Sequence, residues 1–228
     1  CFARPTHTYL GFSAGLDFET RILYKPNAAR LLTQELSSRA YACAPIALGV
    51  NTDAYQPAEE KFGLTRALLQ TLSDCHHPVT IVTKSSLVVR DIDILASMAR
   101  RGLVLVNISI TTLDPQLKKI MEPRASAPSK RLRTLNELAD AGIPVGVMVA
   151  PVIPAVNDAE LERIVEQAAE NGATHASYVL LRLPHELRDL VKEWLQSHFP
   201  LKVQHVLNMI ESTRGGSLYD STFGQRMR

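Results

Sequence analysis

Short apolar runs alternate with longer amphipathic segments along most of the 228-residue chain. The short runs are rich in Val, Ile and Thr, which favour strands, and the longer segments carry apolar residues at helical spacing. Strands separated by helical segments, roughly 30 to 40 residues from one strand to the next, are typical of parallel βα units. Strands are predicted over residues 46–50, 79–83, 104–110, 144–150 and 174–181.

The segments between these strands carry helix-end signals. Asn157 and Asp158 are suited to cap the start of a helix, while Gly142 and Gly172 stand where helices commonly end. Helices are predicted over residues 28–39, 58–72, 91–100, 130–141 and 158–170, followed by two more over 186–197 and 203–210 on either side of Pro200.

Near-continuous apolar strands such as residues 145–149 are expected to be buried on both faces, as in a barrel or a doubly wound sheet. No GxGxxG motif follows any strand, which removes the main support for a dinucleotide-binding fold. We therefore predict an α/β fold, a partial (β/α) barrel of parallel strands with outer helices, similar to a TIM barrel. Residues 1–212 are expected to form this barrel, and residues 213–228 a polar tail or the start of a C-terminal extension.

Composition narrows the class of protein further. The formal net charge is only +2, too small to demand binding to nucleic acid, and no apolar stretch is long enough to span a membrane. Cys1, Cys43 and Cys75 are widely spaced and odd in number, which argues against a disulfide framework. A cytoplasmic location is expected. Because the chain begins with Cys rather than Met, it is expected to be a fragment that lacks its N-terminal part.

Polar residues follow several of the predicted strands. The first strand is followed by Asn51, Thr52 and Asp53, the second by Lys84, and Ser109 lies near the end of the third. In a (β/α) barrel the carboxyl ends of the strands form one rim, and reacting groups come from that rim. These side chains are therefore expected to surround one pocket.

Each of these residues has a functional and a structural interpretation. Lys84 could neutralise a ligand carboxylate, form a Schiff base, or be a solvated loop lysine. Asp53 could hold a ligand or cap the helix that follows, and Ser109 could be a ligand contact or a buried core serine. Arg124, in the loop after Glu122, could clamp a carboxylate with two hydrogen bonds or lie on the surface.

The chain contains, in order, CFARPTH from residue 1, GVNTDAYQP from 49, TKS from 83, SITTLD from 109, EPRA from 122 and PVIPAVND from 151. Together these motifs resemble radical S-adenosylmethionine proteins, and among them spore photoproduct lyase-like proteins. RGG from residue 214 and the residues that follow it extend the resemblance to nearly the whole chain. The resemblance implies a partial barrel over residues 1–212.

The family holds a four-iron four-sulfur cluster with a CxxxCxxC loop, leaving one iron open for S-adenosylmethionine. By this resemblance Cys1 is the last cysteine of the motif and a metal ligand, and the other two cysteines are expected upstream of residue 1. Electron transfer to the bound cofactor then gives a 5′-deoxyadenosyl radical. The resemblance also implies an electron donor such as a flavodoxin or a ferredoxin.

The resemblance gives the strand-end residues roles as cofactor contacts. Thr52 and Asp53, with Asn51 beside them, correspond to the position near the methionine moiety. Lys84 corresponds to a contact of the carboxylate and Ser109 to a contact of the ribose, and Arg124 is a further cofactor contact. Asn51, Thr52 and Asp53 stand where many relatives have Gly-Gly-Glu. Residues 49–52 also lack the cysteine that lesion-repairing lyases carry there. Repair of a DNA photolesion is therefore not implied.

The leading hypothesis is a radical S-adenosylmethionine enzyme, lyase-like in its relatives, with an unidentified substrate that family analogy allows to be nucleic acid. The fragment alone is expected to be inactive, and no catalytic residue is assigned. Two alternatives stay open. One is an aldolase-type barrel in which Lys84 forms a Schiff base; the other is a non-catalytic nucleic-acid-binding module in which arginines of the tail contact phosphate.

Overall fold

The computed structural model describes residues 3–184 and 187–219 and contains a five-stranded sheet with the strand order β1-β2-β3-β4-β5. β1 to β4 pair in parallel, with Ile46 beside Val79, Val79 beside Val104, and Val106 beside Val145. The strands are β1 Ile46–Leu48, β2 Val79–Thr83, β3 Val104–Ser109, β4 Val145–Val152 and β5 His175–Leu180. All the predicted strands are confirmed.

β1 is shorter than predicted because the chain turns at Gly49. This glycine has φ of 83°, and a Cβ there would collide with the carbonyl oxygen of Val82. Only a residue without a side chain can bring the two backbones so close. The loop after β1 is therefore held against the end of β2.

Helices precede the first strand, lie between successive strands and follow the last one. They are α1 Asp17–Thr20, α2 Ala28–Leu36, α3 Ala58–Phe62, α4 Leu64–Asp74, α5 Ile92–Ala99, α6 Pro115–Met121, α7 Pro128–Asp140, α8 Leu161–Glu170, α9 Leu187–His198 and α10 Val203–Ser212. Short 3-10 helices cover Arg4–Leu10, Ser86–Asp91, Asp158–Glu160 and Pro200–Lys202.

Two helical predictions need correction. The helix predicted over 58–72 is broken at Gly63, which has φ of 59° and separates α3 from α4. α6 was not predicted. It begins where the side chain of Asp114 accepts a hydrogen bond from the amide of Gln116 at 2.8 Å, with Pro115 in the first helical position.

The chain divides into two compact units. The larger one, here called the sheet unit, comprises Tyr24–Val149 and Glu162–Ser177. The other, here called the terminal unit, contains residues 3–23 and 150–161 and the described residues from 178 onward. The prediction that a tail begins at residue 213 stays a prediction, and residues 220–228 lie outside the described part.

The core of the sheet unit lies between one face of the sheet and the helices. Alternate strand residues are buried on this face, among them Ile81, Val106 and Val147. α5 and α7 pack against β3 and contribute Leu95 and Leu135, both fully buried. Burying a side chain of this size contributes about 2 kcal/mol. The helices and strands of this unit are therefore held by apolar packing. The opposite face of the sheet carries polar residues such as Asn107 and Ser109 among apolar ones such as Leu105.

The terminal unit has its own contacts. Arg4 donates hydrogen bonds to the carbonyl oxygens of Ala14 and Gly15 at 3.1 and 2.8 Å and forms an ion pair with Glu19. α9 and α10 pack together, and Leu195 and Val206 are buried. Across the described part of the chain, no helix combines the length and apolar character that crossing a membrane requires.

Candidate functional site

Polar side chains meet at the carboxyl ends of β1, β2 and β3 in the sheet unit. We call Asp53, Lys84, Ser109, Glu122 and Arg131 the strand-edge cluster. Asp53 follows β1, Lys84 follows β2, and Ser109 is the last residue of β3. Glu122 follows α6 and Arg131 lies on α7. The loops and helices after three neighbouring strands thus bring one carboxylate, one ammonium and one hydroxyl together with a buried ion pair.

Lys84 is the cation of this cluster that reaches solvent. Its Nζ donates to the Oγ of Ser109 at 2.7 Å and lies 2.9 Å from the Oε1 of Glu122. The side chain is 31% exposed. The ammonium is therefore oriented by two neighbours and still accessible to a ligand.

Asp53 holds the end of β2. Its Oδ1 accepts hydrogen bonds from the Oγ1 of Thr83 at 2.6 Å and from the amide of Tyr55 at 2.9 Å. Its Oδ2 accepts a hydrogen bond from the amide of Lys84 at 2.8 Å. The carboxylate of Asp53 thus ties the loop after β1 to the backbone of Lys84.

Arg131 and Glu122 form the buried ion pair. Arg131 is 1% exposed, and its guanidinium donates to the carbonyl oxygens of Ser126 and Ser109 at 2.8 Å each and to the Oε2 of Glu122 at 2.6 Å. Burial acts to raise the pKa of Glu122, but the charges of Lys84 and Arg131 outweigh it and lower the pKa to about 2. Glu122 is therefore an anion at neutral pH.

The contacts above join three residues that the sequence predicted as cofactor contacts, namely Asp53, Lys84 and Ser109. Asn51 and Thr52 are exposed in the loop after β1, and Arg124 is exposed in the loop between α6 and α7. The arginine buried in the strand-edge cluster is Arg131, on the next helix. Cys1 lies outside the described residues.

Sequence reasoning missed Glu122 and Arg131 as members of this cluster, although one signal was available. Pro128, Arg131, Leu135 and Leu138 are buried on one face of α7. An arginine that takes its place in the apolar stripe of a helix needs a buried anion. The motif Glu122-Pro123 supplies that anion at the end of the preceding helix.

A second polar pair lies on the same face of the sheet as Ser109. Asn107 precedes Ser109 by two positions on β3, and its Oδ1 lies 2.9 Å from the Nε2 of His175 on β5. Gly146 of β4 pairs with Asn107, and a Cβ at Gly146 would collide with the imidazole of His175. The missing side chain on β4 allows His175 to reach across the strand.

The described residues contain no group of three His, Cys, Asp or Glu side chains that could hold a metal ion. Cys43 and Cys75 are free and exposed. The described part of the chain therefore does not supply a set of three such ligands for a metal or an iron–sulfur cluster.

The sequence is similar to several proteins of unknown activity. An uncharacterized protein of Mycobacterium tuberculosis is 36% identical over 202 residues, covering 88% of this chain and 59% of the relative. An uncharacterized protein of Methanocaldococcus jannaschii is 29% identical over 157 residues, covering 69% of this chain and 57% of the relative. The chain thus spans about three fifths of the length of these relatives.

Among solved structures, spore photoproduct lyase in complex with a dinucleoside spore photoproduct matches with a TM-score of 0.57 and 16% identity, covering 88% of this chain and 56% of that one. A cysteine-to-serine mutant of spore photoproduct lyase matches with the same TM-score and 14% identity, covering 83% of this chain and 52% of that one. At these identities the likeness concerns the fold alone, and it confirms the predicted α/β partial barrel.

The family model of the radical SAM superfamily matches residues 21–168, which include all five members of the strand-edge cluster. This match covers more than half of the sequence. The chain belongs to the radical SAM superfamily, whose members use a four-iron four-sulfur cluster and S-adenosylmethionine.

Proposed function

We propose that the complete protein is an enzyme that cleaves S-adenosylmethionine reductively and uses the resulting radical to abstract a hydrogen atom from its substrate. When bound, the iron–sulfur cluster supplies the electron that breaks the sulfonium and releases a 5′-deoxyadenosyl radical. A flavodoxin or ferredoxin would provide that electron. A cytoplasmic location fits the two free cysteines of the described residues. The substrate stays unassigned.

One observation carries this proposal: Nζ of Lys84 and Oγ of Ser109 lie 2.7 Å apart at the ends of neighbouring strands. In the proposed complex the ammonium of Lys84 binds the methionine carboxylate and the hydroxyl of Ser109 contacts the ribose. An ion pair in a partly dry site is stronger than in water, because fewer water molecules compete for the charges.

The charges of the cluster support binding of one carboxylate. Lys84 and Arg131 carry positive charges, and Glu122 carries a negative one because its pKa is lowered to about 2. Glu122 neutralises the buried Arg131 through Oε2 while its Oε1 orients Lys84. The carboxylate of Asp53 balances the remaining positive charge of the five side chains, but it is held by the hydroxyl of Thr83 and the amides of Tyr55 and Lys84. The ammonium of Lys84, 31% exposed, is the cation that a ligand carboxylate can reach.

The remaining assignments are part of the same proposal. Asn51 and Thr52 are exposed beside Asp53 and would approach the methionine moiety, and Arg124 would approach the cofactor from the loop after α6. Cys1 would ligate iron. The motifs that carry these residues support the assignments through their order along the chain, which matches the family.

The test is 5′-deoxyadenosine formation by the full-length protein, expressed with any residues that precede Cys1, reconstituted anaerobically with iron and sulfide, and reduced. We expect product from the wild type, none from Cys1→Ala, and at least about tenfold less from Lys84→Met at low cofactor concentration, since an ion pair to the carboxylate is lost. Lys119→Met, on the exposed side of α6, is the matched control and should behave as wild type. Absence of product from a wild-type protein with a fully assembled cluster would contradict the proposal.

The contact of Lys84 with Glu122 disfavours the aldolase alternative. Forming a Schiff base would consume the ammonium that pairs with the Oε1 of Glu122 at 2.9 Å. Borohydride in the presence of carbonyl substrates should therefore leave Lys84 unmodified. Covalent trapping at Lys84 would favour the aldolase instead.

A further inference from the structure

A second group of charged side chains lies in the sheet unit and has no counterpart in the proposed chemistry. We call Tyr55, Glu59, Arg66, Arg90 and Asp91 the remote cluster. Asp91 is 0% exposed. Its Oδ1 accepts from Arg66 at 2.9 Å and from Arg90 at 2.8 Å, and its Oδ2 accepts from the hydroxyl of Tyr55 at 3.1 Å. A buried carboxylate with three such donors is fixed in place.

Glu59 completes the remote cluster. Its Oε1 accepts from Arg90 at 2.7 Å, and its Oε2 accepts from the amide of Thr65 at 2.8 Å. The hydroxyl of Thr65 in turn donates to the carbonyl oxygen of Ala54 at 2.5 Å. The remote cluster therefore fixes two successive residues of the loop after β1. Ala54 is held through its backbone carbonyl by Thr65, which bonds to Glu59, and Tyr55 is held through its side-chain hydroxyl by Asp91.

The loop after β1 is hydrogen-bonded to the backbone of Lys84. Tyr55 donates its amide to Asp53, and Asp53 accepts the amide of Lys84 through its other oxygen. Gly49 brings the start of the same loop against the carbonyl of Val82, two residues before Lys84. The hydroxyl of Tyr55 thus contacts Asp91, its amide contacts Asp53, and Asp53 contacts the amide of Lys84, so Tyr55 and Asp53 connect Asp91 to the backbone that carries the ammonium.

We propose that Asp53 and Tyr55 are positioning residues, which transmit the rigidity of the remote cluster to Lys84 and so place its ammonium against the cofactor carboxylate. This inference rests on the proposed function and deepens it. Both oxygens of Asp53 already accept hydrogen bonds from the protein, one of them from Lys84 itself. Asp53 therefore acts on the cofactor through Lys84, and its effect concerns the carboxylate alone.

The test compares two ligands, S-adenosylmethionine and its decarboxylated form, which lacks the group that Lys84 binds. Dissociation constants are measured by equilibrium dialysis on the cluster-loaded full-length protein without reductant, so that neither ligand is consumed. For Asp53→Asn we expect binding of S-adenosylmethionine to weaken about tenfold, because a charged hydrogen-bond acceptor is lost behind Lys84. Binding of the decarboxylated ligand should change less than about twofold, since Lys84 does not contact it.

Lys84→Met is the reference for this comparison. In the wild type the carboxylated ligand should bind more tightly than the decarboxylated one, and Lys84→Met should remove that preference. In the Lys84→Met background, Asp53→Asn should have no further effect, because residues that act through one another are not additive.

Tyr55→Phe tests the same connection without touching Asp53 and serves if Asp53→Asn fails to fold. It removes the hydroxyl that bonds to Asp91 and keeps the buried ring, so we expect a weaker loss of about threefold, again for the carboxylated ligand only. The matched control is Tyr41→Phe, whose hydroxyl lies 2.7 Å from the Nε2 of His77 and does not belong to the remote cluster. It should leave both dissociation constants unchanged.

The outcomes separate the two proposals. Equal weakening of both ligands in Asp53→Asn and Tyr55→Phe, or no weakening of either, would overturn the positioning inference while Lys84 keeps its role. If every variant, including Lys84→Met, kept the preference for the carboxylated ligand, the assignment of Lys84 would be overturned and the positioning inference with it.

Discussion

The remote cluster and the strand-edge cluster of the sheet unit both contain carboxylates and cations but differ in how the cations are paired. In the remote cluster Asp91 is fully buried and accepts hydrogen bonds from two arginines and a tyrosine. In the strand-edge cluster Glu122 and Arg131 are buried, but the ammonium of Lys84 is 31% exposed. Arg66 of the remote cluster is 40% exposed, but it pairs with both Asp91 and Asp93, whereas Lys84 shares Glu122 with Arg131.

We therefore expect substitutions in the remote cluster to lower the free energy of unfolding and substitutions of Lys84 to lower ligand affinity. Burial acts to raise the pKa of Asp91, yet hydrogen bonds from Arg90 and Arg66 outweigh it and the pKa is lowered. Removing Arg66 or Arg90 would leave the buried charge of Asp91 with less compensation, so the cost appears in the free energy of unfolding. A change at Lys84 leaves less uncompensated charge in the interior, and its cost should appear in ligand affinity.

The largest expected effect is that of Asp91→Asn. The amide cannot neutralise Arg66 and Arg90. Because Asp91 is fully buried but both arginines keep contact with water, we expect the lower end of the range for a broken buried ion pair, about 3 kcal/mol. We expect the free energy of unfolding at pH 7 to fall by about this amount, measured by urea denaturation followed by circular dichroism. A loss below about 1 kcal/mol would show that the remote cluster resembles a surface ion pair.

The pH dependence of Glu122→Gln gives the next largest effect. The pKa of Glu122 is lowered from 4.5 to about 2, so its carboxylate stabilises the folded state above pH 4.5 and loses that contribution as the pH falls toward 2. At about 1.4 kcal/mol per pKa unit, this contribution is about 3 kcal/mol.

The wild type should therefore exceed Glu122→Gln in free energy of unfolding at pH 7, and this difference should shrink by about 2 kcal/mol between pH 7 and pH 3. Urea denaturation of both proteins at several pH values measures it. A difference that stays constant over this range would mean that Glu122 is not an ionised partner of Arg131 and Lys84.

The smallest expected effect is that of Asp93→Asn, which changes the other partner of Arg66. This ion pair has an N–O distance of 2.6 Å, but Asp93 is 61% and Arg66 40% exposed. Exposed pairs contribute about 0 to 1 kcal/mol and are screened by salt. The variant should lose less than about 1 kcal/mol at low salt and nothing measurable in about 1 M NaCl. A loss as large as that of Asp91→Asn would show that the exposed Asp93 contributes as much to the free energy of unfolding as the buried Asp91.

The sequence predicted the strands of the fold well and the short helices poorly. Runs such as 145–149 are apolar throughout, and central parallel strands are buried on both faces, so their positions follow from composition alone. α6 was missed because its seven residues include Lys118 and Lys119 and only a short apolar stripe. Asp114 and Pro115 were the available start signal.

The candidate site was predictable where position along a strand decides it. Asp53, Lys84 and Ser109 follow or end strands, and the ends of parallel strands meet at one edge of the sheet. Glu122 and Arg131 depend on how α7 packs against β3, where Arg131 reaches the carbonyl of Ser109 over 22 residues of sequence. No local pattern specifies that distance. The link from Tyr55 to Asp91 spans 36 residues and was missed for the same reason.

Positions 146 and 175 are distant in the sequence but cannot both carry a large side chain, because the two side chains would occupy the same space. The space that a side chain at 146 would occupy is filled by the imidazole of His175, which contacts Asn107 from there. A side chain added at Gly146 alone would collide with the imidazole, and replacement of His175 alone would remove its contact with Asn107. Homologues with Ala or a larger residue at the position of Gly146 should carry a small residue in place of His175, so the two alignment columns should covary.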